Sequence, residues 1–497
     1  MKKYKIHSVK YNFAMNIVLK MSSYIFPLIT LPYISRVLGA EANGKISFTA
    51  SVITYFSMFA QLGIPTYGIR ECARCRDDED KLTKTVQELL MINGISMLIA
   101  YAILGISVFF INKFKQEPIL LMIQSLTIVL NVIGMEWLYQ AVEQYQYITF
   151  RNIAFKLISI VLMFLWVHNP GDYIIYGGLT VLSGSGSYIL NLWNSRKILK
   201  RKLYKGQYEF RCHMKPIITF FALSIAVSIY TSMDTVMLGL ISNDKEVAYY
   251  ALATKIKMVL ATTISAIGPV LLPRIAYCLK RKEIEKFHSY IGKSLHFVAL
   301  VAFPMAIYFM LLSVNVISIL GGKEYIPAIR CMQIITLAII PLGFGNIATS
   351  QILTPTGREQ FIMYSTICGA VINLVANVIM IPKWGADGAA LATVIAESII
   401  AFVQICYAWK DMKEAVREVK WYIILLSNGI AFGILKICLN YWKIQNPFVS
   451  MIMMAIIYFG CYLSGLLILR DEFVCFYIEK MLNILRQYSN KRKQKRL

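Results

Sequence analysis

Apolar runs of about 20 residues recur from one end of this chain to the other, and nothing else in the sequence limits the fold so strongly. A helix needs roughly 20 mostly apolar residues to cross the hydrocarbon core of a bilayer, and only helices and closed barrels satisfy their backbone groups in lipid. Fourteen such runs lie near 12–34, 46–64, 86–112, 118–138, 149–167, 173–193, 217–240, 249–272, 294–315, 328–350, 360–381, 387–408, 421–440 and 447–469. They are continuous and rich in Leu and Ile, without the two-residue alternation of a barrel strand. The expected fold is therefore an all-α polytopic membrane protein. Only 16% of the 497 residues are charged, against about 25% in soluble domains. That deficit excludes a soluble globular domain, and the 57% hydrophobic content excludes a disordered chain.

The 51 basic residues outnumber the 27 acidic ones, giving a net charge of +24. With the N-terminus placed inside, 37 of the 51 fall in the inner segments, as the positive-inside rule requires. The expectation is a bacterial cytoplasmic (inner) membrane protein with both termini cytoplasmic. The first run is longer than a signal-peptide core and lacks an A-x-A cleavage site, so it is expected to stay as a span. A basic inner loop, 194–216, separates residues 1–193, with six spans, from residues 217–408, with six more. Two additional spans occupy 409–469. The remaining 470–497 read as an inner tail, with Phe473, Phe476, Tyr477, Met481, Ile484 and Leu485 at helical spacing before KRKQKR (Lys491 to Arg496). Such a tail suits anionic membrane lipids, and no nucleic-acid partner is expected. A weak echo between LPYISRVLGAEANG (from Leu31) and DTVMLGLISNDKEVAYY (from Asp234) hints at two related halves.

Ionisable residues inside spans are costly and normally face a cavity or a partner. Lys20 lies deep in the first run, ahead of Pro27 and Pro32, and reads as cavity-facing or as half of a structural ion pair. Arg36, just past it, is an interfacial anchor or an anion contact. Asp234 in the seventh run is placed to pair with Lys255 or Lys257 in the eighth. Glu397 in the twelfth has no charged neighbour in sequence, while Asn373 and Asn377 share a helix face at i, i+4. These four read as a gating or ion-coupling seam, with Glu397 a candidate proton carrier. Glu136, Glu143 and Arg151 bracket one inner turn, Lys156 enters the fifth run, and Pro269, Pro273 and Arg274 close the eighth.

Enzyme signals are poor. Asp78-Glu79-Asp80 imitates a metal-binding acidic triplet but reads as a solvated helix start. Cys72 and Cys75 lack the second pair or His of a zinc set. None of the five His stands in an HExxH pattern, and no G-x-x-x-x-G-K-[ST] is present, so energy must come from a gradient, the membrane potential or a partner. No catalytic residue, metal or cofactor is expected.

Several longer segments carry a resemblance: LPYISRVLGAEANGKISFTASVITYFSMFAQLGIPTYGIRECA (from Leu31), EWLYQAVEQYQYITFRN (from Glu136), DTVMLGL and YALATKI (from Asp234 and Tyr250), PVLLPRI (from Pro269), LTPTGRE (from Leu353) and NLVANVIMIPKWGADGAALATVIAE (from Asn373). Over about residues 10–410, in order, the chain resembles the Wzx-type O-antigen and capsule repeat-unit flippases of the multidrug, oligosaccharidyl-lipid and polysaccharide exporter superfamily. The EWLYQAVEQYQYIT block is the most specific match, although Ala141 stands where many relatives would carry Gly.

The resemblance implies two six-helix bundles in a MATE-like arrangement facing a central cavity, with two C-terminal helices added. It also implies alternating access that moves undecaprenyl-pyrophosphate-linked oligosaccharide from the inner to the outer leaflet. The cations then available to the pyrophosphate are Lys20, Arg36, Lys156, Lys255, Lys257 and Arg274. Moving about two negative charges outward across roughly 100 mV is favoured by about 4–5 kcal/mol. A proton or sodium ion is the candidate coupling ion, and polysaccharide assembly enzymes are candidate partners. A MATE-like multidrug or cation exporter would be expected to have a carboxylate-rich cavity, a lipid II flippase differs mainly in cargo, and a membrane glycosyltransferase would need a catalytic carboxylate in a sizeable loop.

Overall fold

The computed structural model describes residues 8–200, 204, 206–442, 444–476 and 478–480, so Tyr477, Met481, Ile484, Leu485 and the KRKQKR tail lie outside it. Among the described residues every regular element is helical. They fall into two units: Met1–Ala251 with Leu320–Tyr325 and Leu374–Ala389, and Leu252–Ile319 with Ile326–Asn373 and Ala390–Leu497.

The chain begins with α1 (Val9–Val37), α2 (Gly39–Gln61), α3 (Ile64–Cys75), α4 (Glu79–Phe110), α5 (Asn112–Gln116), α6 (Pro118–Gly134), α7 (Glu136–Ala141) and α8 (Tyr145–Trp166). Next come α9 (Tyr173–Val181), a π-helical turn at Leu182–Gly186, α10 (Tyr188–Asn194), α11 (Arg211–Ile241) and α12 (Asp244–Ser265). Then follow α13 (Ile267–Lys280), α14 (Ile284–Leu311), α15 (Ser313–Leu320), α16 (Ala328–Thr336), α17 (Ile339–Ile347) and a second π turn at Ala348–Leu353. The last helices are α18 (Glu359–Glu418), α19 (Trp421–Tyr441) and α20 (Pro447–Ile468).

Among the described residues eleven stretches are long and apolar enough to cross a membrane, against fourteen runs in the sequence. The difference has local causes. Helix α18 has 60 residues, about 90 Å at 1.5 Å per residue, some three times the hydrocarbon thickness. Gly385 breaks it at φ 51°, ψ −126°, a conformation that glycine tolerates far better than other residues, so α18 carries both the eleventh and twelfth runs. The sixth run is divided by the π turn between α9 and α10, and the seventh lies in α11.

Polar residues set the ends. Asp78 accepts from the backbone N–H groups of Asp80 and Lys81, with Glu79 and Asp80 in the first turn of α4. The acidic triplet is thus a helix N-terminus stabilised by its cap and the helix dipole. Asn446 caps α20 in the same way, with Pro447 at its first position. Beyond α20, the fully buried Asp471 receives His296 Nε2 at 2.9 Å and caps Val474 N–H at 3.0 Å, while the His296 ring stacks on Phe473. Burial alone would raise the Asp471 carboxyl, but these donors outweigh it and hold the group below its ordinary range.

In the first unit α2 packs on α4 and α6, and α3 on α7. The block Glu136–Ala141 is a short helix with Trp137, Leu138 and Tyr139 sunk among Ile64, Leu82 and Leu89. Tyr139 donates to the Asn191 carbonyl at 2.6 Å, and Glu136 holds Arg151 at 3.0 Å. Glu143 accepts from Arg76 at 2.6 Å and from Asn12 at 3.2 Å. In the second unit α14 packs on α17, and α19 pairs with α20.

Gly44 lets the backbone at Asp244 approach so closely that a Cβ would lie 1.7 Å from its carbonyl oxygen, while Gly94 has open space around it. Gly44→Ala must push two backbones apart and is expected to cost about 1–3 kcal/mol. Gly94→Ala should be neutral or slightly stabilising. Thermal unfolding of the two variants in detergent separates these outcomes; equal melting temperatures would contradict the packing.

Candidate cargo-binding and coupling site

The acids expected to act in gating or coupling lie in two polar clusters among the spans, one in each unit. In the first, the buried Asp234 near the end of α11 accepts from the Tyr250 hydroxyl of α12 and from Asn377 Nδ2 of α18. Tyr250 and Asn377 are buried as well. In the second unit, Lys257 of α12 meets Glu397 of α18 at 3.5 Å, and both side chains are largely buried. Lys257 therefore pairs with Glu397, which corrects its expected pairing with Asp234. Tyr250 and Asn377 are buried donors that need an acceptor, and Glu397 is a buried carboxylate that needs a cation, so each acid is engaged within its own unit. Asn373 is buried in the second unit, away from solvent.

The candidate cations occupy different settings. Lys156 is buried on α8 and donates to Ser22 Oγ at 3.0 Å and Ser23 Oγ at 2.9 Å, with its ammonium 5.8 Å from the centre of the Phe26 ring. The sequence reading missed those serines, although Ser22-Ser23 is a polar pair inside an apolar run. Lys20, Lys255 and Arg274 are exposed side chains on α1, α12 and α13. Arg36 donates to the Pro32 carbonyl at 2.9 Å. It also lines a cavity of about 460 Å³ together with Glu41, Lys245, Tyr249 and Glu324. Glu324 fixes the start of α2 by accepting from Ala40 N–H at 2.8 Å.

The Arg151–Glu136 pair beside the turn between α7 and α8 differs from these. Arg151 is buried between the Tyr147 and Tyr188 rings, 5.7 and 5.1 Å from their centres, and bonds Glu136. Its surroundings are those of a packing element. Among the described residues, no group of three or more His, Cys, Asp or Glu could hold a metal ion.

What these clusters can do is bind and release charge. A buried Lys257–Glu397 pair changes its energy greatly when one member is protonated or draws another partner. The triangle at Asp234 offers a carboxylate held by neutral donors, a setting in which a cation or proton alters the balance.

Comparison with known proteins agrees with this architecture. A family profile described as "Polysaccharide biosynthesis protein" matches residues 9–279, and one described as "MatE" matches residues 220–379. A protein named as an O-antigen transporter from Escherichia coli (strain K12) is 22% identical over 395 residues, covering 78% of this chain and 94% of that one. The lipid II flippase MurJ of Bacillus subtilis (strain 168) is 22% identical over 491 residues, covering 86% and 88%. Among solved structures, a lipid II flippase MurJ in an inward closed conformation superposes with a TM-score of 0.73 at 17% identity, over 92% of this chain and 99% of that one. A multidrug resistance MATE family transporter in an inward-facing conformation gives 0.58 at 14% identity, over 79% and 96%. The fold is therefore that of the MATE-like transporters, and these named relatives are transporters or flippases.

Tyr250→Phe leaves the buried Asp234 short of one donor and is expected to lower stability by about 1–3 kcal/mol. Tyr277→Phe, at an exposed position on α13, should change little. Chemical or thermal unfolding in detergent checks the contrast, and equal effects would remove Tyr250 from the cluster.

Proposed function

The chain belongs to the polysaccharide biosynthesis protein family, and we propose that it flips undecaprenyl-pyrophosphate-linked oligosaccharide repeat units from the inner to the outer leaflet of the cytoplasmic membrane. The observation that carries this reading is the likeness to an O-antigen transporter over 94% of that relative's length. A polysaccharide or lipid-linked flippase is a binding and rocking machine, so the work falls to non-covalent contacts and to a change in which side of the membrane the cavity faces.

In this reading residues 1–193 and 217–408 are the two moving bundles, with both termini cytoplasmic. The pyrophosphate needs fixed cations in a partly dry cavity, and Lys20, Arg36, Lys156, Lys255, Lys257 and Arg274 supply them. Lys156 and Lys257 are the strongest of these, because each is held in place by partners at 2.9–3.5 Å. Lys257 is also a branch point. Protonation of Glu397 weakens its hold on Lys257 and frees that ammonium for the pyrophosphate, which couples proton binding to cargo binding. Asp234 and Asn377 form the other coupling group, for a proton or a sodium ion, and Asn373 is assigned the same role in the second unit. Anionic lipids neutralise the inner basic loops, and assembly enzymes that supply the lipid-linked unit are the protein partners.

Removal of the gene from its native cell should leave lipid-linked oligosaccharide accumulated on the inner leaflet, out of reach of an impermeant lectin or glycosidase added to spheroplasts. Restoring the gene should expose it. Normal surface polysaccharide with no protected pool, in a strain lacking any second flippase, would sink the reading in favour of a drug exporter of the same fold.

Charge reversal at Lys156 or Lys257 should abolish that rescue while the protein still reaches the membrane. Glu397→Gln should flatten the pH dependence of transport. Full rescue by both reversed variants would remove these lysines from the cargo site, and an unaltered pH profile would remove Glu397 from coupling.

A further inference from the structure

A second cavity, of about 250 Å³, lies wholly inside the first unit and is lined by Thr54, Ser57, Gln61, Thr127, Asn131 and Ser224, among others. None of its lining residues is charged. Thr54, Ser57 and Gln61 recur at i, i+3 and i+7 on α2, and Thr127 and Asn131 at i, i+4 on α6, so two apolar helices turn polar stripes toward one space. Hydroxyl and amide side chains within membrane helices are costly unless something hydrogen-bonds them.

Part of that demand is met internally. Ser57 Oγ accepts from Asn131 Nδ2 at 2.8 Å and from Gln61 Nε2 at 3.0 Å, and Ser185 donates to Asn131 Oδ1 at 3.2 Å. Thr54 and Ser224 donate to carbonyls of their own helices. The remainder is open. Among the described residues the Gln61 Oε1 acceptor and the Thr127 hydroxyl have no hydrogen-bond partner, and neither does the Ser57 proton. The internal bonds fix the geometry of the lining, and the open groups belong to residues that line the cavity.

The chemistry of the lining selects that occupant. A pyrophosphate would find no cation, and a cationic drug no carboxylate. A lipid tail would leave the hydroxyls and amides dry and unpaired. The volume is below the usual 300–1,000 Å³ of drug-sized pockets. Met58 and Pro65 add apolar surface for C–H groups beside the donors and acceptors. We propose that this cavity is a subsite for a single uncharged sugar ring of the lipid-linked oligosaccharide, held by Thr127, Gln61 and the Ser57–Asn131 pair. The proposal rests on the flippase reading above and names the part of the cargo that this unit recognises.

The test uses the full chain in nanodiscs and two synthetic probes, undecaprenyl pyrophosphate and the same lipid carrying one N-acetylglucosamine. Wild type is expected to bind the sugar-bearing probe about tenfold more tightly, the worth of one or two hydrogen bonds. Thr127→Val is close to isosteric and breaks no internal hydrogen bond, and Gln61→Met keeps the length of the side chain. Each should erase most of the preference while leaving affinity for the bare lipid unchanged. If one variant fails to fold, the other carries the measurement.

Equal affinity of wild type for the two probes, or variants that weaken both probes alike, would overturn the sugar subsite while leaving the flippase reading intact. Wild type that binds neither probe would instead overturn the flippase reading, and the subsite with it.

Discussion

A carboxylate inside a bilayer has no water to turn to, and this chain holds Asp234 and Glu397 deep among its helices. Asp234 is held by a phenol and an amide, and Glu397 by an ammonium. Each solution draws on helices far apart in sequence, so the charges act as fasteners between α11, α12 and α18 as well as candidate switches. A buried pair of this kind gives weak net stability but a severe cost when one partner is lost. That asymmetry makes such groups suited to a machine with two states, since a small change in protonation is felt as a large change in preference.

Much of the fold was legible from the sequence, because length and hydropathy act directly on whether a helix can live in lipid. The fourteen runs map onto the helices, and the acidic triplet at Asp78 is the helix start that its composition suggested. What was not legible were breaks inside runs. Nothing in the hydropathy of the sixth run signals the π turn at Leu182–Gly186, whereas the break at Gly385 falls between the eleventh and twelfth runs, where the sequence already separates them.

The candidate site was legible in its residue types and less so in its pairings. Lysines and acids in apolar runs stand out, yet the partner of each is chosen by packing over 140 residues of separation, as with Lys257 and Glu397. Tyr250 escaped notice because a tyrosine in a span passes for an interfacial anchor. The neutral stripe of Thr54, Ser57 and Gln61 escaped for a related reason: single hydroxyls and amides are common in membrane helices, and only their convergence with α6 gives them meaning.

The segment Glu136–Ala141 now has a different significance. Its Trp137, Leu138 and Tyr139 are packed into the core of the first unit, and its acid holds Arg151 between two tyrosine rings. The stretch of sequence that best identifies a relative is therefore part of the framework. Two chains that share it share a scaffold and are free to carry different sugars, so grouping relatives by this segment sorts them by architecture. Sorting them by cargo calls for positions that line open space, where side chains answer to an occupant instead of to their neighbours.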